Sequence, residues 1–290
     1  MTDDDVAQRG SPEENRGFLD DTAPSNDPLG GLDVDRGKPN IARMYDYLLG
    51  GAANFAVDRE MAEEGLRLVP TERDYCRHNR AFLGRAVRHL VVRAGIDQFL
   101  DLGSGVPTVG NVHDIAQHHE PAARVAYVDW EPVACQHARQ LTAGNPQVTV
   151  TEADVSRPGA VLAAPGVADL LDVTRPIAVL AFGIFDLTEH AESLAARYRD
   201  ACAPGSALAV SNNAQLTRTD AEIANMHQVL AGTTTPRIHI RDREQVAGLL
   251  PGYRLLAPGV VPAALWRPDG PVTEEEARRG NVYGAVGFLD

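Results

Sequence analysis

Gln98-Phe99-Leu100-Asp101-Leu102-Gly103-Ser104-Gly105-Val106-Pro107-Thr108 decides the fold. An apolar run carrying one acid breaks into two glycines at alternate positions, and a helix start follows. The stretch reads as a strand, a glycine turn and a helix over about 107–119. Open parallel sheets bind nucleotides at such junctions, outside the carboxyl ends of their strands. Glycine tolerates positive φ and lets a ligand approach the backbone closely. The helix that follows offers free N–H groups and a positive dipole end.

Outward from this stretch, hydrophobic runs alternate with helical periodicity. Strands are expected at about 97–102, 123–129, 147–152, 177–182 and 206–212, with helices in the gaps near 107–119, 131–143, 158–164 and 190–203. Such alternation implies βαβ units with right-handed crossovers. Helices at about 219–231 and 242–250 come next, and segments 253–257 and 282–288 read as two last strands. Pro262 to Gly280 between them reads as loop, around Trp266-Arg267-Pro268. The fold expected over 96–290 is therefore α/β, a doubly wound, mostly parallel seven-stranded sheet. Before it, residues 38–95 carry three helical patterns, with Asn40 as a cap and Ile41, Met44, Tyr45 and Leu48 on one face. Helices preceding the first strand cross over nothing, so a helical cap is expected. Residues 1–37 are acidic, rich in Pro, Gly, Ser and Asn, and lack periodicity, which predicts a disordered tail.

Three cofactors use glycine turns of this kind. The dinucleotide fingerprint G-x-G-x-x-G fails at its third glycine, where Thr108 stands. A triphosphate loop needs a lysine after its last glycine, and none is present. S-adenosyl-L-methionine (SAM) suits an acid just before the glycines, because Asp101 can orient groups around the ligand ammonium. Two further acids fit it. Asp129 ends the second strand, 24 residues after Gly105, where a carboxylate accepts from both ribose hydroxyls. Trp130 beside it can pack on adenine. Asp154 follows the third strand and is placed to accept from the adenine amino group, with the Val155 N–H available to a ring nitrogen. Phe182 and Gly183, ending the fourth strand, are expected at the sulfonium end, and Asn212 and Asn213 face acceptor space.

Composition narrows the partners. A net charge of -13 argues against nucleic acid and anionic membrane surfaces, which need clustered positive charge. Three widely spaced cysteines, no metal-ligand cluster, no apolar signal region and no long apolar run predict a cytoplasmic protein without structural metal or membrane span. His113, His190 and His227 are the candidates for a general base, and none has a motif around it.

With these residues in view, the chain resembles an actinobacterial family of SAM-dependent methyltransferases once catalogued as a domain of unknown function. The likeness is carried by Pro39 to Gly51 with its Tyr-Asp-Tyr-Leu-Leu-Gly-Gly run, Asn54 to Arg59, Asn79 to Phe82, Gln98 to Thr108, Gly110 to His113, Ala126 to Asp129 and Leu256 to Pro268. Where the family has Lys-Asp before Asn-Phe, this chain has Ala52-Ala53. The resemblance implies a class I methyltransferase fold and SAM as cofactor; the residues expected to bind it are Asp101, Gly103, Ser104, Gly105, Asp129, Trp130, Asp154, Val155, Phe182 and Gly183. It also implies that Tyr47, Asn54, Phe55 and Arg80 cover the open side of the pocket. The expected activity is methyl transfer to a small-molecule acceptor. A SAM-binding sensor or scaffold without turnover is the alternative.

Overall fold

The computed structural model describes residues 35–107, 110–235 and 237–290. The expected disordered tail falls, up to residue 34, outside the described residues, as does Thr108. Helices α1 (Ile41–Leu48), α2 (Ala56–Leu68) and α3 (Glu72–Ala94) come first. Then β1 (Gln98–Leu102), α4 (Val112–His119), β2 (Arg124–Asp129), α5 (Pro132–Leu141), β3 (Val148–Glu152), α6 (Pro158–Ala163), α7 (Pro165–Ala168), β4 (Ala178–Phe182), α8 (Ala191–Arg199) and β5 (Ala207–Asn213) alternate. Helices α9 (Asp220–Ala231) and α10 (Arg243–Gly248) lead to β6 (Arg254–Leu255), β7 (Val261–Pro262), α11 (Glu274–Arg279) and β8 (Val282–Phe288).

The strand order is β3-β2-β1-β4-β5-β8-β6. β1 to β5 are parallel, and β8 runs antiparallel to β5 from Ala207↔Phe288 to Asn213↔Val282. The order reverses between β1 and β4, so a crevice opens there at the carboxyl ends of the strands. Side chains alternate across the sheet and build a core on each face. Phe99, Val125, Tyr127 and Leu180 join the core under α3 and α4. Leu100, Ala126, Val128 and Val179 join the other, with Leu194 and Tyr198 of α8 and Val246 of α10. A fully buried side chain of this size contributes about 1.5–3 kcal/mol.

Each of the five parallel strands begins and ends within one residue of its sequence-based expectation. Four features refine these expectations. The helix after the glycine turn begins at Val112, not near Pro107, because Gly110 at φ +70° cannot continue a helix backwards. α3 does more than cap the sheet: Phe82, Ala86, Val87 and Leu90 form an apolar stripe buried in the same core as the strands. The sheet has eight strands, because the short β7 pairs with β8 through Val261↔Gly284 and Pro262↔Tyr283. The segment 262–280 is anchored rather than loose. Trp266 is fully buried, edge-on to Phe82 with ring centroids 5.3 Å apart, and α11 closes the segment with a Thr273/Glu276 capping box.

Candidate active site

A cavity lies over the switch point, with about 1400 Å³ of empty space including its open mouth. One wall is the glycine turn. Gly103 and Gly105 have φ of +64° and +61°, which only glycine adopts at no steric cost. A Cβ at Gly103 would collide with Ile184, so the turn also packs against the end of β4. A Cβ at Gly105 would meet only open space. The turn is pinned by Asp129, whose Oδ2 accepts from Gly105 N at 2.7 Å and whose Oδ1 accepts from Glu131 N at 2.9 Å. Gly103 N and Ser104 N both donate to Val128 O.

Nine of the expected site residues line this cavity: Asp101, Gly103, Ser104, Gly105, Asp129, Trp130, Phe182, Gly183 and Arg80. Trp130 is 57% exposed, with its indole uncovered beside Asp129. Burial pushes the Asp101 carboxyl up to about 7 against the pull of the Arg80 guanidinium, with Asp129 adding repulsion. Burial also raises Asp129, although its backbone hydrogen bonds oppose the shift. The Ser104 hydroxyl and Arg80 Nε are buried without a hydrogen-bond partner among the described residues. Such orphans cost about 1–3 kcal/mol each, which a bound ligand would recover.

Five expected site residues do not line the cavity. Asp154 is exposed, and its Oδ1 is turned back onto Ser156 N at 2.8 Å. The Val155 carbonyl accepts from the Tyr198 hydroxyl at 2.8 Å on the α8 side. Tyr47 points outward and donates to Glu63 at 2.7 Å. Asn54 is fully buried and donates to Asp46 and to the Gly51 carbonyl. Phe55 is buried beneath the Arg43 guanidinium, 5.1 Å from its ring centroid. The last two hold the α1–α2 corner together. Of the histidines, His113 pairs with the Tyr127 hydroxyl at 2.7 Å, His227 contacts the Ile238 carbonyl at 3.0 Å and His190 is exposed ahead of α8; none lines the cavity.

Sequence reasoning missed the device that fixes α1 and α2 over the crevice. Arg43 is buried. Its Nε pairs with Asp58 Oδ2 and its Nη1 with Glu131 Oε1, both at 2.7 Å, while Nη2 donates to the Lys38 carbonyl at 2.7 Å. Asp58 also accepts from Asn40 N and Phe55 N, and Glu131 caps α5 by accepting from Ala134 N at 2.6 Å. One guanidinium thus joins both leading helices to the residue next to Trp130. The remaining walls come from α1, α2, α3 and α9. Tyr45 and Leu48, which read as packing residues, are among them, and so is Asn213 at the end of β5. Among the described residues, no cluster of His, Cys, Asp and Glu could hold a metal, and no helix is long and apolar enough to cross a membrane.

A family model described as S-adenosyl methyltransferase matches residues 30–290. A candidate methyltransferase from Thermobifida fusca YX is 37% identical, with a TM-score of 0.83 over 88% of this chain and 97% of that one. A DUF574 family protein from Streptomyces avermitilis MA-4680 is 32% identical, with a TM-score of 0.83 over 88% and 99%. No curated protein matches the chain. The chain belongs to the S-adenosyl methyltransferase family.

Proposed function

We propose that this S-adenosyl methyltransferase methylates a small-molecule acceptor, with SAM held at the β1–β4 switch point by Asp101, Ser104, Gly105, Asp129, Trp130 and Arg80. The observation that carries the assignment is the charge arrangement on the cavity wall. Two carboxyl groups and one guanidinium face the space above the glycine turn. When ionised they sum to one negative charge, complementary to a ligand with an ammonium, a sulfonium and a carboxylate. A dinucleotide would bring two phosphate charges to a wall with a single arginine.

Each residue has a role set by its chemistry. Asp129 keeps lone pairs for the ribose hydroxyls while its backbone bonds fix the turn. Trp130 offers its exposed face to adenine. Asp101 accepts from the ammonium and Arg80 donates to the carboxylate. When bound, SAM would supply an electrophilic methyl group, the sulfur keeping both electrons of the broken carbon–sulfur bond and the acceptor atom providing the pair for the new one. The chain's contribution is to hold the acceptor in line with that bond and keep water out. Asp154 and Val155, outside the cavity, take no part in this reading.

Calorimetric titration with SAM and with S-adenosylhomocysteine tests it. Both should bind at one site, and Asp129→Ala should cost about 1–3 kcal/mol of binding. Absence of heat and of any thermal shift with either compound would sink the proposal. Unchanged affinity in the variant would remove Asp129 from the ribose contact.

A further inference from the structure

The cavity over the switch point is walled by α1, α2, α3 and α9 as well as by the sheet edge. Its two halves differ in kind. The outer half, at the glycine turn, holds the charged groups. The inner half, between α1, α2 and α9, is walled by Ile41, Leu48, Val69, Met226, Val229 and Ile238. One acid reaches this half, Glu72, and Arg218 neutralises it at 2.7 Å. A charged ligand group entering here would lose its hydration and find no free countercharge, at a cost of several kcal/mol.

One neutral polar group stands at the boundary of the two halves. The Tyr75 hydroxyl lies over Gly183, where an added Cβ would sit 2.9 Å from it. Tyr75 lines the cavity, and among the described residues nothing hydrogen-bonds its hydroxyl. Burial raises its pKa well above the ordinary value, with Asp186 adding to the shift, so the hydroxyl is un-ionised across the physiological range. The other polar side chains near that point are Asn79, Asp186 and Asn213: Ser211 holds Asn79 at 2.6 Å, Asp186 (2.8 Å) and Arg218 (3.0 Å) hold Asn213, and Asp186 itself does not line the cavity.

We infer that the inner half is the methyl-acceptor site, and that it takes an uncharged, largely apolar molecule whose one neutral polar group hydrogen-bonds the Tyr75 hydroxyl. This rests on the cofactor assignment above, which gives the outer half its occupant. The hydroxyl then fixes which end of the acceptor faces the Gly183 edge, where the methyl is expected. Tyr75 acts as a specificity residue for acceptor orientation.

The test is calorimetric titration of the full chain, saturated with S-adenosylhomocysteine, with 2-naphthol, naphthalene, 2-naphthoate and 2-naphthylmethylammonium. 2-Naphthol should bind at least tenfold tighter than either ion. Tyr75→Phe removes no bond within the protein, so it should fold normally, weaken 2-naphthol about five- to tenfold, and leave naphthalene and S-adenosylhomocysteine unchanged. Ions binding as well as 2-naphthol, no probe binding at all, or competition between 2-naphthol and S-adenosylhomocysteine would each overturn the inference. So would a Tyr75→Phe variant that keeps the preference for 2-naphthol over naphthalene. If S-adenosylhomocysteine fails to bind, the cofactor assignment falls separately, and the same titration without it still decides whether the inner half prefers uncharged molecules.

Discussion

Asp101 should trade stability for ligand binding, and Asp101→Asn should reverse the trade. In the folded chain the carboxyl titrates near 7, against 3.8 for an unburied aspartate, and loss of hydration is the main cause. Three pH units correspond to about 4 kcal/mol. The folded-state value is raised, so the stabilisation is fully present below about pH 4 and is lost as pH rises through about 7. Asparagine has nearly the same shape and does not ionise. The variant and the wild type should therefore be of similar stability near pH 4. By pH 8 the variant should be the more stable, with about 4 kcal/mol as the ceiling. Burial pushes Asp46 and Asp186 the same way, to about 6 and about 7, so the wild-type slope alone is a composite. The difference between variant and wild type isolates Asp101. Binding should move oppositely. Only the ionised carboxylate attracts the ligand ammonium, so wild-type affinity for S-adenosylhomocysteine should climb with pH through about 7. The variant should bind more weakly, without the climb. Urea unfolding at pH 4, 6 and 8 and calorimetry over the same range measure both. A variant no more stable than wild type at pH 8, or one whose affinity climbs in parallel with wild type, would refute the reasoning.

Two further perturbations probe the frame around the site. Arg43→Met leaves Asp58 and Glu131 as buried charges without their cation, a loss of about 3–5 kcal/mol. Adding Asp58→Asn and Glu131→Gln should recover part of that loss in thermal melts, and no recovery would mean that the arginine acts by packing alone. Gly65 sits inside α2 with ordinary helical φ, and a Cβ there would lie 3.8 Å from Val229 Cγ1, an unstrained contact. Gly65→Ala should therefore stabilise the chain by about 0.5–1 kcal/mol in urea unfolding. It also narrows the inner half of the cavity, so acceptor probes should bind more weakly while S-adenosylhomocysteine does not.

The sheet was legible in the sequence because its signals are local. Apolar runs of strand length, glycine turns and capping residues such as Asn40 depend on neighbours within a few residues. That is why five strands fall where expected, and why Asp101, Gly103, Gly105 and Asp129 converge: parallel strands of the same hand bring their carboxyl ends to one edge. Other features are decided by long-range contact. The Arg43–Glu131 pair spans 88 residues of chain, and nothing near either residue announces the other. Trp266 read as part of a polar loop because its neighbours are Arg267 and Pro268, yet its burial is set by Phe82 and His89 on α3. Asp154 sits at the right distance along the chain, but the turn it makes with Ser156 takes its side chain out of the cavity. Nothing in the sequence singles out Tyr75, which comes to line the cavity because β4 ends beneath it at Gly183. The sequence by itself determined the class of fold, the glycine turn and the acids at the strand ends, since period and spacing survive any packing. The tertiary structure decided which side chains share one cavity, how its charges balance and that its inner half is apolar, because burial and partnership belong to residues distant in sequence and adjacent only once the chain has folded.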